Sequence, residues 1–251
     1  MNIFTYIILG ALLIDLLLNI VADYLNLKGL SKGLPEEFGD VFDEEAYEKS
    51  QAYTRTRTKF GWVSSLFNLA VILAFWFSGG FNWLDEVVRS WGYGELVTGL
   101  LYLGILMFAY QLISLPFSIY STFVIEERFG FNKTDAKTFV TDMVKGLLLA
   151  IVLGGPLLAG ILAFFIYGGT YAWLYAWIAV SLFTLIVQYV APTWIMPLFN
   201  KFEPLEDGEL RQAIENMAQR IQFPLKEIFV MDGSKRSSKS NAFFTGFGKN
   251  K

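Results

Sequence analysis

Histidine and cysteine, which supply most zinc ligands and many catalytic groups in enzymes, do not occur among the 251 residues of this sequence. Their absence excludes, for these residues, a thiolate nucleophile, imidazole acid–base catalysis and any zinc site that requires either side chain. Disulfides are excluded too, so the redox compartment cannot be read from cysteine usage. Any chemistry that these residues perform alone must proceed without the two commonest catalytic side chains.

Five polar side chains stand inside otherwise apolar segments and are candidates for lining an aqueous chamber. Asp15 and Asn19 lie four residues apart, so on a helix they form one polar stripe. An acid near the middle of a bilayer costs about 2.5–3.5 kcal/mol on insertion scales, and less if it faces water or a partner. The stripe therefore either faces water or forms a hydrogen bond between helices. The same two interpretations hold for Asn68, Gln111 and Gln188.

The segments that carry these polar residues lack charged side chains over long distances. Apolar residues make up 54% of the sequence and charged residues only 17%, against about 25% charged in soluble domains. No Asp, Glu, Lys or Arg occurs between Lys59 and Asp85, between Glu95 and Glu126, or between Lys145 and Lys201. Because uncharged runs of this length leave a soluble bundle no water-facing surface, we expect membrane helices.

Five membrane spans account for the uncharged runs. As one helix, residues 146–200 would be roughly 80 Å long, against a bilayer core of about 30 Å, so this run must fold back. Gly168-Gly169-Thr170 is the predicted turn. The sequence therefore predicts an α-helical integral membrane protein with spans at about Ile3–Ala22, Phe60–Gly79, Leu96–Ser118, Gly146–Tyr167 and Tyr171–Ile195.

The basic residues predict the orientation of these spans. Six lie between spans one and two, four between spans three and four, and nine after span five, whereas Arg89 alone lies elsewhere. Because cytoplasmic segments are enriched in Lys and Arg, we expect the N-terminus outside and the C-terminal tail in the cytoplasm. The net charge of −3 gives no basic field for nucleic acid. The lack of eukaryotic-looking extensions favours a bacterial inner membrane over endoplasmic reticulum.

The two large cytoplasmic segments between the spans are predicted to be helical. Residues 1–200 are predicted to form the five-span domain, with cytosolic helical loops at 23–59 and 119–145. Residues 43–59 favour a helix that continues into span two. After span three, the sequence predicts a helix end, a turn at Gly130 and a new helix capped by Asn132 or Thr134.

The tail after span five has the composition of an α+β domain. An amphipathic helix is predicted at Asp207–Gln222, a short buried strand at Glu227–Met231, a basic loop at Asp232–Ser240 and the start of another strand at Asn241–Phe244. One helix and two strands cannot bury a core by themselves. We therefore expect residues 201–251 to be the incomplete beginning of a domain, and the sequence to be a fragment or one half of a split protein.

Three stretches carry a family resemblance. The most specific is PTWIMPLFNKFEPLEDGELRQAIENMAQRIQFPLKEIFVMDGSKRSSKSNAFFTGFGKNK, above all from Pro197 to Gly246. It resembles the type I CAAX prenyl endopeptidases, which are integral-membrane zinc metalloproteases of the gluzincin kind. The stretches EKSQAYTRTRTKF and EERFGFNKTDAKTFVTDMVK resemble two further parts of that family, in the same order along the chain.

The resemblance implies a complete enzyme with seven transmembrane helices around a water-filled chamber. Its HExxH zinc site and a downstream glutamate would face that chamber near the cytosolic side. This chain would supply five helices and the beginning of the catalytic domain, in a lipid bilayer. Zinc is then the cofactor of the full-length enzyme, held by a missing C-terminal segment and not bound by this chain. The implied substrates are membrane-associated or CAAX-type C-terminal peptides, and the chain alone should be inactive.

The resemblance also implies which residues bind substrate. In gluzincins an Asn-Ala-x-x edge strand pairs with the extended peptide, and the match here is Asn241, Ala242, Phe243 and Phe244. Asn241 would bond the substrate main chain through its amide, and the small Ala242 would allow close approach. The alternative is that these four residues only begin a core strand. Arg236 and Lys239, together with Lys235, either attract a substrate carboxylate or form a solvated loop at the membrane surface.

A different class of function remains open from the residues alone. The chain could be a complete five-helix binding, scaffold or transport protein without catalytic activity. Its polar span residues would then form a path, and its tail a docking module. The unfinished sheet and the lack of paired opposite charges within the spans weigh against this alternative.

Overall fold

The computed structural model describes residues 2–30, 34 and 43–245. Residues 31–33 and 35–42 of the predicted loop at 23–59 lie outside the described part, as do residues 246–251. The chain divides into two compact units. The first contains residues 1–92 and 104–130, and the second contains residues 93–103 and 131–251.

Five helices are long and apolar enough to cross a membrane: Ile3–Gly29, Glu44–Phe77, Glu95–Glu126, Ala136–Tyr167 and Gly169–Phe199. They confirm the five predicted spans and the α-helical membrane fold. Every one of them extends beyond the bounds of its predicted span at one end or at both. Large apolar side chains such as Leu17, Val152 and Trp194 lie exposed along these helices, as expected of surfaces that face lipid.

The helices of the first unit are α1 at Ile3–Gly29, α2 at Glu44–Phe77, α3 at Gly80–Ser90 and the C-terminal part of α4, which runs from Glu95 to Tyr120. A π-helical segment at Ser121–Glu126 continues α4. The predicted helical extension of span two is confirmed, because α2 is continuous from its charged half into its apolar half. Trp62 Nε1 donates to Asp23 Oδ2 over 2.9 Å and joins α2 to α1.

Helix α3 was not predicted. It is amphipathic, burying Leu84 and Val88 on one face, while Arg89 pairs with Asp85 on its exposed side. The chain enters α3 through Gly79, whose φ of +79° favours glycine. A Cβ on the next residue, Gly80, would lie 2.4 Å from the Phe75 ring, so only glycine fits that contact as it stands.

The second unit contains the other apolar helices. Helix α5 at Ala136–Leu149, a π-helical segment at Ala150–Gly154 and α6 at Gly155–Tyr167 form the fourth span. A 3₁₀ turn at Gly169–Tyr171 confirms the predicted reversal, and α7 at Ala172–Val190 follows. A π-helical segment at Ala191–Ile195 and the short α8 at Met196–Phe199 end the fifth span.

The predicted caps of α5 were wrong. The helix begins after Asp135, whose side chain accepts from the Thr138 amide over 2.7 Å. Asn132 instead accepts from the Thr134 amide in a local turn, and the Thr134 hydroxyl donates to the Arg236 carbonyl 102 residues away. The turn at Gly130 was predicted correctly, and its φ is +74°.

A small antiparallel sheet follows the fifth span. Strand β1 at Phe202–Pro204 pairs with β2 at Phe229–Met231, so that Phe202 faces Met231 and Pro204 faces Phe229. The amphipathic helix α9 at Glu209–Arg220 connects them. Strand β1 was not predicted, and the expectation of a buried β2 was wrong, because Phe229 and Val230 are about half exposed. Of the six paired residues, Phe202 and Met231 are partly buried and the other four are exposed.

Candidate functional site

The loop that follows β2 begins at a fixed point. Asp232 Oδ1 accepts from the Lys201 amide over 2.8 Å, and the Asp232 amide donates to the Lys201 carbonyl over 3.1 Å. These two bonds extend the pairing of β1 with β2 by one position. A 3₁₀ turn at Gly233–Lys235 then directs the chain toward Arg236. The basic loop predicted at Asp232–Ser240 is therefore ordered at its start.

The same loop is bonded to the turn that precedes α5. The Arg236 carbonyl accepts from the Lys133 amide over 3.0 Å, and the Ser238 amide donates to the Phe131 carbonyl over 3.0 Å. An isolated antiparallel bridge joins Asn132 to Ser237. Thus FNKT before α5 and RSSK after β2, both parts of stretches that carry the family resemblance, lie side by side in the second unit.

The Arg236 side chain forms the densest polar contact of this loop. Its Nε and one Nη donate to the two carboxylate oxygens of Asp142 in α5, over 2.6 and 2.9 Å. The guanidinium also donates to Asn200 Oδ1 over 2.7 Å and to the Phe199 carbonyl over 2.6 Å. Both partners of the ion pair are about three quarters buried. The hydrogen bonds to the Asp142 carboxylate raise the pKa of Arg236 above its already high usual value.

These contacts change the interpretation of Arg236. All three guanidinium nitrogens have partners within the chain, so this residue fixes the loop against α5 and the end of the fifth span. Lys235 and Lys239 are both exposed. The Lys239 ammonium lies 4.4 Å from the centroid of the Phe131 ring, in cation–π geometry. The expected attraction of a substrate carboxylate by the loop remains a prediction.

The predicted strand at Asn241–Phe244 is not formed within the described residues. Asn241 through Thr245 are exposed and pair with no strand. The Ala242 backbone amide donates to the Asn241 side-chain oxygen over 2.9 Å, a local bond that replaces pairing with a strand. Phe244 packs edge-on against Phe223, with ring centroids 5.2 Å apart. The backbone of this segment is accessible, and its role as an edge for a substrate peptide remains a prediction.

The polar side chains of the spans occupy several surfaces. Asp15, Asn19, Gln111 and Gln188 are exposed in a structure that contains no lipid. The Asn19 amide donates to the Asp15 carbonyl over 2.9 Å, which places the two side chains on one helix face as predicted. Asn68 Oδ1 is buried without a hydrogen-bond partner among the described residues. Whether these residues line a chamber remains a prediction.

The first unit brings two further motif stretches together. The Tyr53 hydroxyl donates to the Glu126 carboxylate and accepts from Arg57 over 3.2 Å. Its ring packs edge-on against the buried Phe129, with centroids 5.3 Å apart. The stretch EKSQAYTRTRTKF therefore contacts the start of EERFGF.

A catalytic metal does not fit the residues present. Among residues 2–30, 34 and 43–245, no group of three His, Cys, Asp or Glu side chains could hold a metal ion. The sequence contains no histidine or cysteine at any position. Asp142 and Asp232, which sequence reasoning missed as parts of this site, are both committed to contacts that hold the loop.

Sequence comparison identifies related proteins along nearly the whole chain. Residues 23–201 match the family model of the CAAX prenyl protease N-terminal region with five membrane helices, and residues 204–251 match that of peptidase family M48. The chain is 40% identical to a CAAX prenyl protease 1 homolog of Arabidopsis thaliana, covering 91% of this chain and 56% of that protein. Its identity to CAAX prenyl protease 1 of Saccharomyces cerevisiae is 42%, covering 85% and 49% respectively.

A solved structure extends the similarity to the fold. The crystal structure of S. mikatae Ste24p matches with a TM-score of 0.88 and 38% sequence identity, covering 98% of this chain and 59% of that one. The chain thus spans about half the length of the curated relatives it matches. The relatives named here are eukaryotic, so they lend no support to the expected bacterial inner membrane.

Proposed function

The chain belongs to the CAAX prenyl protease family, in peptidase family M48, and we propose that it works as part of a membrane-embedded zinc metalloendopeptidase. The proposed substrates are membrane-associated or CAAX-type C-terminal peptides. The relatives are named CAAX prenyl protease 1 or its homolog, which supports this substrate class. The alternative of a five-helix scaffold or transport protein has no comparable support.

The proposed role of this chain is to form the chamber wall and to bind the substrate. The observation that carries the proposal is the clamp between Arg236 and Asp142, reinforced by Asn200. It fixes the loop immediately before Asn241, so the exposed segment 241–244 leaves from a defined position. An extended peptide can then pair with this backbone, since main-chain pairing gives affinity without demanding a particular substrate sequence.

Within that segment, the four residues have different proposed tasks. The Asn241 side-chain NH₂ group donates to a substrate carbonyl, after the side-chain oxygen has released the Ala242 backbone N–H. That backbone N–H then becomes available to the substrate backbone. Phe243 and Phe244 are 53% and 73% exposed and offer apolar surface to substrate side chains. Lys239 adds a positive charge near a C-terminal carboxylate.

Zinc is assigned to residues outside these 251, because the sequence has no histidine or cysteine and the described residues contain no group of acidic side chains that could hold a metal ion. When bound, zinc in such peptidases polarises the scissile carbonyl and activates water. The 251-residue chain by itself should accordingly be inactive and hold no stoichiometric zinc. Its distribution of Lys and Arg supports an N-terminus outside and a tail in the cytoplasm, where the substrate strand would meet cytosolic peptides.

The test of this role is the variant Asn241→Ala in the intact gene product. Loss of one hydrogen bond to the substrate, about 1 kcal/mol, lowers kcat/KM roughly fivefold. Zinc content, measured by atomic emission, should stay unchanged, since the side chain contacts substrate and not metal. Ser240→Ala, at the neighbouring exposed position, is the matched control. Unchanged turnover of Asn241→Ala would refute the assignment of the strand while leaving the family membership intact.

A further inference from the structure

An open groove of about 230 Å³ lies on the first unit, between α2 and the end of α4 with its π-helical continuation. Its apolar lining includes Phe60 and Val63 from α2, and Tyr120 and Val124 from the opposite wall. The rings of Phe60 and Tyr120 stack with centroids 5.0 Å apart. Lys59 and Arg128 line the same groove.

On each wall of the groove, a charged stretch of the helix meets an uncharged run. On α2, Lys59 is the last charged residue before the uncharged run that begins with Phe60. On the opposite wall, the uncharged run reaches Ile125 and the charged stretch Glu126-Glu127-Arg128 follows. Because both runs belong to helices long enough to span a membrane, the groove lies at the boundary between hydrocarbon and headgroups. A tyrosine such as Tyr120 at this level is typical of the membrane interface.

The two cations of the groove are available to a ligand. Lys59 and Arg128 are exposed, and neither forms an ion pair or a side-chain hydrogen bond with any residue that the structure describes. The neighbouring acid Glu126 accepts from the Tyr53 hydroxyl and does not line the groove. Positive charge at the polar end and apolar surface at the other therefore face the same open space.

We propose that this groove binds one anionic phospholipid. The Lys59 and Arg128 side chains contact the headgroup phosphate, and the first part of an acyl chain lies along Val63 and Val124. Two cations at the end of an apolar channel match a molecule whose phosphate is covalently joined to a hydrocarbon chain. A free phosphate would satisfy the cations and leave the apolar wall unused. The groove shares no residue with the proposed substrate segment, and its occupancy does not depend on peptidase activity.

The experiment uses the intact gene product in bicelles with a photoactivatable phosphatidic acid that carries the reactive group on its acyl chain. Mass spectrometry of the digested protein locates the labelled residues. We expect labelling of peptides that contain residues 60–63 and 120–125. The variant Lys59→Gln/Arg128→Gln should lower this labelling at least tenfold, because each cation near an anionic lipid contributes severalfold to binding. Arg55→Gln, on α2 but outside the groove, is the matched charge control.

Each other outcome contradicts the proposal in a defined way. Equal labelling by the phosphatidylcholine analogue would show that the groove does not select negative headgroups. Displacement of the label by millimolar inorganic phosphate would show an anion site that does not need the lipid chain. Unchanged labelling in Lys59→Gln/Arg128→Gln would remove the cations from the site. Lys59→Arg/Arg128→Lys should retain labelling, and its loss would show that the wild-type signal depended on side-chain shape and not on charge. Size-exclusion profiles confirm that every variant is folded.

Discussion

The clamp between Arg236 and Asp142 makes a quantitative prediction about the loop that precedes the proposed substrate strand. Replacing Arg236→Gln removes both charge-assisted bonds to Asp142 and the bond to the Phe199 carbonyl. Breaking a fully buried ion pair costs about 3–5 kcal/mol, whereas an exposed pair contributes about 0–1 kcal/mol. Since both side chains are about a quarter exposed, we expect Arg236→Gln to lower the free energy of opening of this loop by about 2–3 kcal/mol.

The same contact predicts how two variants combine. Asp142→Asn leaves the guanidinium without its counter-charge but keeps one acceptor oxygen, so the cost should be smaller, about 1–2 kcal/mol. The double variant Asp142→Asn/Arg236→Gln removes both charges, so no unpaired charge is left. The double variant should therefore be less destabilised than the sum of the single variants, with a coupling free energy of at least 1 kcal/mol.

Hydrogen exchange of the intact gene product measures how readily the loop that Arg236 holds opens. Amides of residues 229–238 in Arg236→Gln should exchange about 30- to 150-fold faster, the equivalent of 2–3 kcal/mol in opening free energy. Lys235→Gln, in the same loop with an exposed side chain, is the matched control and should change exchange by less than threefold. Equal exchange rates in Arg236→Gln and Lys235→Gln would refute the clamp, as would strict additivity of the double variant.

Three further predictions concern other parts of the chain. Hydrogen bonds from Thr138 hold the pKa of Asp135 below its ordinary 3.8. The stabilisation that Asp135 gives to the first turn of α5 is therefore complete above pH 3.8 and is lost as the pH falls through the lowered pKa. Hydrogen exchange of the Thr138 amide, corrected for intrinsic rates, should rise over that pH range in the wild type, and Asp135→Asn should abolish this rise. Gly80→Ala should lower stability by about 1–3 kcal/mol, because its Cβ would lie 2.4 Å from the Phe75 ring; Gly61→Ala, with open space around the new Cβ, should not be destabilising in the same thermal assay. The purified 251-residue chain should hold less than a tenth of an equivalent of zinc by atomic emission, and one equivalent would contradict the ligand inventory.

The membrane helices were predictable because the bilayer imposes a one-dimensional rule. A span needs about 20 predominantly apolar residues, so the uncharged runs located the last four spans, and an apolar segment interrupted only by Asp15 located the first. Helix α3 was not predicted, because no element was assigned to the segment between spans two and three, which contains Asp85 and Arg89. Its apolar face is nevertheless visible in the sequence, because Phe81, Leu84 and Val88 follow helical spacing.

The contacts of the candidate site were beyond local sequence reasoning. Asp142 and Arg236 are 94 residues apart, and no period or spacing in the chain relates them. The same holds for the cap of α5. Asn132, Thr134 and Asp135 are all suitable capping residues, and the choice follows from the bond of the Thr134 hydroxyl to the distant Arg236 carbonyl. The sequence did indicate which segment contains the candidate site, because the stretch from Pro197 to Gly246 resembles one family without interruption.

Peptide cleavage by the intact gene product in liposomes tests the central claim most directly. The substrate is a prenylated peptide that ends in a CAAX-type sequence, and the product is the released C-terminal tripeptide. We predict cleavage that a zinc chelator abolishes and that added zinc restores. Absence of cleavage above empty liposomes, or cleavage that persists after complete chelation, would contradict the claim that this chain works within a membrane-embedded zinc metallopeptidase.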